Sequence, residues 1–537
     1  MKKYIYRACT ILVAASSIGL TGCFNLDENV YSEITEDSFT PSAQDVASLV
    51  ASAYTPLTYI YDWQGYFDTQ EEPGDIIITP TRPNGWDDGG TYRDMHKHEW
   101  SNMSWQPQYA YEQPYTAINN INRVKDQIDN GELPVGDLKE STLAELRAAR
   151  ALWYSMLLDT HGNVPIVTDY SDNIPEQATR KEVYDFVVKE LTEVIPNLSE
   201  ANDATTYGRM NKWAALACLE RVYLNAEVYT GQAKWEEALD CANQIINSGL
   251  FELASDYSDC FKEEVNYSCK EAIFAVVYDQ DHIGFHQHHK WYPSVARQHF
   301  GNAHDYFWGG SCANPQFINA YEEGDLRKEK TWLIGPQYSA SDPNTVVWTC
   351  LNYLPSLTCM KDGKNYTSID YGCRVGKFEY NDDSKSGAWS NDFLFYRYAE
   401  VLLTKAECLL RLNKNGAEAA QIVTQLRQRC FEDKSKATVT EAQLRGDTKI
   451  KYGTLDWDNN IDDAGDQTPV VLGGLYDEWG FEFACEAQRR TQMIRFGTYT
   501  TKNWFNHTAI KDGHTALFPI PYEDMQTNEN LKQNPGY

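Results

Sequence analysis

The chain has 537 residues, a formal net charge of −30 and 13 % aromatic residues, among them 15 Trp and 35 Tyr. This length accommodates one large α-domain with long insertions or two ordinary domains. The acidic balance excludes nucleic acid as a partner and leaves no polybasic patch for an anionic membrane surface.

Lys2, Lys3 and Arg7 precede a short apolar run from Ile11 to Leu20, the order of a secretory signal. The run is too short for a transmembrane helix, and no later stretch reaches the roughly 18 apolar residues that a span needs. Leu20-Thr21-Gly22-Cys23 closes it in the manner of a bacterial lipobox. Cys23 is therefore expected to be acylated and to become the mature N-terminus, which anchors the chain without spanning. Ordinary cleavage near Gly22, with Cys23 a plain thiol, is the alternative. Residues 1–22 carry three basic and no acidic side chains, so the chain from Cys23 onward carries −33.

Four antiparallel helix pairs follow, giving a mainly α, TPR-like scaffold. The first, 45–59 with about 113–129, is split by an insertion over 60–107. The second is 141–159 with 181–195, where Ser141 is a candidate cap. In the third, 211–229 places Leu216, Leu219, Val222, Tyr223 and Ala226 on one stripe, and Gly231 breaks it. Its partner, 234–247, turns Trp235, Ala238, Leu239, Ala242, Ile245 and Ile246 inward. The fourth, 393–412 with 417–429, turns at Asn413-Lys414-Asn415-Gly416. Helix, glycine turn and helix in about 34 residues is the tetratricopeptide period. A second insertion occupies about 250–391. Both insertions are rich in Gly, Asn, Asp, Tyr and Trp, and long irregular loops on a repeat scaffold carry function.

Of the 13 cysteines, Cys9 and Cys23 belong to the N-terminal signal, leaving 11 and hence at least one free thiol. Cys260/Cys269 and Cys350/Cys359 are close enough in sequence to pair. Cys218, Cys241, Cys408 and Cys485 lie in helical patterns, as buried small hydrophobes do.

Binding chemistry is expected in the insertions. Asp68 opens the first, and an extended apolar segment around Ile76-Ile77-Ile78 delivers Arg82 and Trp86 to a glycine-rich tip. A sugar ring needs a flat apolar platform for its C–H face and charged or amide groups for its hydroxyls. Trp86 flanked by Arg82, Asp87 and Asp88 offers both; a Trp pinning the loop to the scaffold is the competing reading. In the second insertion, Tyr306 and Trp308 offer an opposite wall, with Cys312 in the same stretch, unless these rings plug the helices. Arg374 could donate to hydroxyls or to a carboxylate, or form a structural ion pair. Trp100 and Trp105, nearer the next helix, read as structural. Six of 11 histidines crowd into His282–His304, yet without metal-ligand spacing, so a hydrogen-bonding, partly exposed loop is expected. No cofactor is expected, and no motif indicates a structural cation such as calcium. There is no Gly-x-Ser-x-Gly elbow, His-Glu-x-x-His or Walker loop, so no catalytic residue is named.

Several stretches, in order, resemble the SusD/RagB family of surface lipoproteins. They are the lipobox with Thr35-Glu36-Asp37-Ser38-Phe39, Leu146–Tyr154 with His161–Val167, Gly208–Ala215, Arg397–Leu403, and Glu482–Arg490 with Ile494–Gly497. The tail Leu517–Tyr537, with Pro519, Pro521 and a closing Asn534-Pro535-Gly536, completes the pattern. Cys485 and Ala487 depart from the family's commoner Trp or Phe and Gly. The resemblance implies one domain over 23–537, with a C-terminal block at 470–537 and a TPR-like half supporting a ligand-binding irregular half. It also places binding aromatics in the first insertion. It implies an outer-membrane, surface-exposed lipoprotein that captures oligo- or polysaccharide, without catalysis, for a SusC-like TonB-dependent transporter. Peptide capture by a relative of the same kind, or a glycoside hydrolase, are the alternative functions.

Overall fold

The computed structural model describes residues 42–537 except 61, 63–64, 84–85, 302–306 and 382–387. The signal, Cys23, Tyr306 and His304 lie outside the described residues.

Seven helices form the scaffold: α1 Trp105–Asp129, α2 Lys139–Thr160, α3 Arg180–Val194, α4 Lys212–Leu224, α5 Trp235–Asn247, α6 Tyr398–Arg411 and α7 Gly416–Gln428. Each packs on the next in chain order, giving the expected TPR-like stack. The preceding half-pair is Ala43–Val50, a 3₁₀ turn, and Thr55–Ile60, of which the last packs on α1. α2 carries buried residues on nearly every face, Leu146, Ala148, Ala149, Ala151, Leu152 and Trp153 among them. That follows from its place between α1 and α3; a helix sandwiched on both sides loses its polar face.

Local chemistry sets several boundaries. Thr179 and Glu182 form a reciprocal capping box at the start of α3, and Asn211 accepts from Trp213 and Ala214 to start α4. Asn415, with φ 31°, caps α7 from the left-handed region. Other boundaries differ from expectation. α1 begins upstream of Gln113 and runs through Pro114, because Gln106, Ala110 and Tyr111 are buried against the core and carry the helix past a residue that usually marks a first turn. Ser141 does not cap α2; Leu138 occupies that position and Ser141 Oγ donates to its carbonyl. The helix expected through Tyr229 breaks at Asn225, whose side chain donates to Arg221 O and competes with the helix ladder. Phe393–Arg397, expected to be helical, is a buried strand pairing antiparallel with Ala272–Val276. Its Phe-Leu-Phe-Tyr run favours a pleated surface over a helix.

Neither pairing that chain separation allowed is formed: Cys260, Cys269, Cys350 and Cys359 are free thiols, as are Cys218, Cys241, Cys408 and Cys485, and all of these but Cys269 are buried.

Two buried devices join distant parts of the chain. Arg397 donates to Glu486 Oε2 at 2.7 Å, to Glu482 Oε1 at 2.8 Å and to Glu271 Oε2 at 3.3 Å. Arg429 bridges Glu271 and Glu482, and Lys377 reaches Glu486 at 2.5 Å. Three cations and three carboxylates thus tie the second insertion, the start of α6 and the C-terminal block. The tail closes on the end of α2: Phe518 N donates to Thr160 O, and Asn534 Nδ2 donates to His161 O and Phe518 O.

Within the C-terminal block, Cys485 and Ala487 have φ of 64° and 58°. A side chain in this left-handed region costs roughly 1–2 kcal/mol, which gives the physical reason for glycine at the position of Ala487. Ala487→Gly is expected to stabilise the fold by about 0.5–1 kcal/mol, because part of that relief is lost to the greater unfolded-state entropy of glycine. The denaturant midpoint checks it.

Candidate functional site

The site is assembled by a two-residue ladder. Ile77 and Ile78 pair antiparallel with Ala313 and Cys312, so the first insertion runs beside the second and their loops emerge at the same edge. Arg82 then straps them together. Its Nε donates to Gly310 O and its Nη1 to Tyr371 O, both at 2.9 Å. Arg374 makes a parallel strap, Nη1 to Ser311 O at 3.0 Å and Nη2 to Ile369 O at 3.1 Å. Burial, with Arg82 nearby, pushes the Arg374 guanidinium down to about 9. Cys312 is packed under Gly372, whose φ is +83°, and a Cβ there would lie 2.3 Å from Cys312 Sγ.

Above this floor sit two half-buried indoles. Trp86 and Trp308 have centroids 6.4 Å apart and planes tilted by 33°. Trp86 also leans on buried Tyr92 at 5.5 Å, and Trp308 stacks on His289 at 5.2 Å and 24°. The Trp86 ring lies directly on Gly310, where an added Cβ would fall 1.4 Å from Trp86 Cζ3. Gly310→Ala is therefore expected to displace the indole while leaving the straps intact. The shift should be visible in tryptophan fluorescence, alongside an at least fivefold loss of ligand affinity.

Polar groups rim the rings. Asp87 is held by Arg93 and by Thr81 Oγ1 at 2.9 Å, and the Arg93 hydrogen bond keeps its carboxyl below the usual range. Partial burial raises the pKa of Asp88, which sits two residues after Trp86 on the same rim. The tip turns through left-handed Asp88, Gly89 and Gly90, which the two glycines adopt without strain.

The sequence candidates thus separate by depth. Trp86, Trp308 and Asp87 come together at the surface. Asp68, Cys312 and Arg374 are fully buried and Arg82 nearly so; each lies beneath the rings and presents no face for a ligand. Asp68 pairs instead with Lys290 Nζ at 2.5 Å. Arg374, expected to donate to a ligand, spends both terminal nitrogens on backbone carbonyls. Sequence reasoning missed Tyr92, His289 and Gly310. The Gly309-Gly310 pair beside Trp308 was the available signal for a close ring approach.

The histidine tract is the partly exposed, hydrogen-bonding loop expected at His282, His286 and His299, and it departs from that expectation in its middle. Gln287–Trp291 is a short buried helix, with His288 and His289 among its buried residues. Burial lowers the His288 imidazole to about 3. Among the described residues no group of three or more His, Cys, Asp or Glu is arranged to hold a metal ion, and no helix is long and apolar enough to cross a membrane. Trp100 and Trp105 serve the scaffold, donating to Tyr537 Oη and Thr91 Oγ1.

Two half-buried rings with a carboxylate rim form an apolar platform edged by acceptors, the combination that stacking on the C–H face of a sugar and pairing with its hydroxyls would require. The chain matches two family models: the SusD family over residues 270–537, and "Starch-binding associating with outer membrane" over residues 25–224. It is similar to the starch-binding protein SusD of Bacteroides thetaiotaomicron, 24 % identical over 100 % of this chain and 99 % of that protein. Among solved structures it is similar to NanU of B. fragilis, with a TM-score of 0.70, 19 % identity and coverage of 93 % and 97 % of the two chains. A surface glycan-binding protein A from Bacteroides thetaiotaomicron, in complex with laminarihexaose, superposes with a TM-score of 0.67 at 20 % identity, covering 91 % and 99 %.

Proposed function

The chain belongs to the SusD family, and from that premise we propose that it is a non-catalytic, surface-exposed outer-membrane lipoprotein that captures oligo- or polysaccharide. The observation that carries this reading is the Trp86–Trp308 pair, mounted half-buried at one edge by two arginine straps. Trp86 and Trp308 take sugar faces and Asp87 accepts from hydroxyls. Arg82, Arg374, Cys312 and Asp68 support the platform from below. Tyr306, two residues before Trp308 in the sequence, is proposed as a further ligand contact on sequence grounds alone. Acylated Cys23 anchors the chain, and a SusC-like TonB-dependent transporter receives the captured glycan.

Relatives named for starch binding and a neighbour holding laminarihexaose support a glucan among the first ligands to try. The experiment is native electrophoresis of the soluble chain, starting after Cys23, in gels containing starch, laminarin or other plant, host and microbial glycans. A peptide digest and a reducing-end assay run alongside. Retardation by one glycan class without new reducing ends is the expected result. Binding to peptides alone, or release of reducing ends, overturns the reading.

A further inference from the structure

Beneath the platform lies a charged cluster that no ligand contact explains. Lys290 is fully buried, with Nζ 2.5 Å from Asp68 Oδ1 and 2.6 Å from Glu72 Oε1, both carboxylates equally buried. Burying three charges is costly, and hydrophobic replacement of such groups is often neutral or stabilising. Stability alone therefore does not account for the cluster, and its connections point elsewhere.

Each member touches part of the platform. Lys290 Nζ sits 4.2 Å from the centre of the Tyr92 ring, and Asp68 lies near enough to Tyr92 for each to perturb the other's titration. Tyr92 supports Trp86. Glu72 Oε1 accepts from Thr79 Oγ1 at 2.7 Å and from Ser311 Oγ at 3.4 Å, and Ser311 follows the Gly310 on which Trp86 rests. His289, next to Lys290 on the same short helix, underlies Trp308. The Lys290 carbonyl accepts from Ser311 N at 3.1 Å. One lysine thus joins the floor of both indoles.

We propose that Lys290 is a positioning residue for the platform, acting with Asp68 and Glu72 to fix Tyr92 and, through Tyr92, the indole of Trp86. The consequence for binding rests on the glycan-capture reading; the positioning itself does not. The charge balance adds a second property. Two carboxylates share one ammonium, and burial, opposed by Lys290 and reinforced by Glu72, pushes Asp68 up to about 7. The other groups that face the cluster are Tyr92, Asp88 and His96, and burial keeps His96 neutral at this pH. Proton uptake by Asp68 near neutrality removes one negative charge from the cluster.

The test uses the soluble chain labelled with 5-fluorotryptophan, with the Trp86 resonance identified as the one missing in Trp86→Phe. Tyr92→Phe removes only the Tyr92 hydroxyl next to the cluster, and Lys290→Met removes the cation. Both are expected to shift the Trp86 resonance and to weaken retardation in starch or laminarin gels at least fivefold. The wild-type resonance is expected to titrate with a midpoint near pH 7, and Asp68→Asn to abolish that titration. If Lys290→Met fails to fold, Tyr92→Phe and Asp68→Asn decide. An unmoved Trp86 resonance in Tyr92→Phe, with no pH dependence in the wild type, overturns the proposal. If neither polysaccharide retards the wild type while the resonance still responds, glycan capture of these polymers fails and the positioning role stands.

Discussion

Arg397→Leu is expected to remove about 3–5 kcal/mol of stability, the usual cost of breaking a buried ion pair by deleting one partner. Arg397 is about 1 % exposed and divides its guanidinium among Glu271, Glu482 and Glu486. Leucine would leave three buried carboxylates facing only Arg429, Lys377 and the more distant Arg327. It would also remove the guanidinium from the face of Phe483, 4.1 Å away. Against a total stability of roughly 5–15 kcal/mol this is a large fraction, so the variant should show a much lower denaturant midpoint or a poor soluble yield. The network also sets an acid limit. Burial raises the Glu482 carboxyl, but Arg429, Arg397 and Arg327 outweigh burial and hold it near 2. Its folded pKa lies below the unfolded value near 4.3, so its contribution is present above that value and is lost as the pH falls toward 2. A midpoint unchanged by Arg397→Leu, or unchanged between pH 5 and pH 3, would show that the network contributes little.

Trp86→Ala is expected to weaken glycan binding at least tenfold, equivalent to about 1.4 kcal/mol. A Trp86 side chain free at a glycine-rich tip would leave the stability of the variant unchanged. The structure revises that expectation, because one face of the indole is spent on Gly310 and its edges meet Tyr92 and Trp308. Partial burial of a ring this size stabilises by about 1–2 kcal/mol, so a modest fall in midpoint should accompany the lost affinity. Trp86→Phe separates the two effects, retaining an aromatic face with less area. Retardation unchanged in Trp86→Ala would move the site elsewhere.

The helical pairs were legible because their apolar positions recur every three to four residues and their ends carry Asn, Thr or Gly, which satisfy orphan backbone groups locally. The pairing of α4 with α5 and of α6 with α7 followed from their short connections. Where local signals competed with tertiary burial, expectation failed. Pro114 lies inside α1 because burial of its neighbours outweighs the lost hydrogen bond. Phe393–Arg397 is a strand because Ala272–Val276, over a hundred residues earlier, offers it a partner.

The candidate site divides in the same way. Trp86, Asp87 and Trp308 stood out because rings and carboxylates beside glycines mark exposed, tightly turned backbone, and each of those signals is local. Arg82, Arg374 and Asp68 carry the same chemical signal, yet depth is not written in a residue's neighbours along the chain. Whether an arginine meets a ligand or a carbonyl depends on which loop the Ile77–Ala313 ladder brings beside it. Residue order alone determined the helical scaffold and the acidic character and marked two irregular insertions, since periodicity, charge and turn chemistry act over a few residues. Tertiary structure alone decided which polar side chains are buried and which rings face each other, since both depend on contacts between segments more than two hundred residues apart.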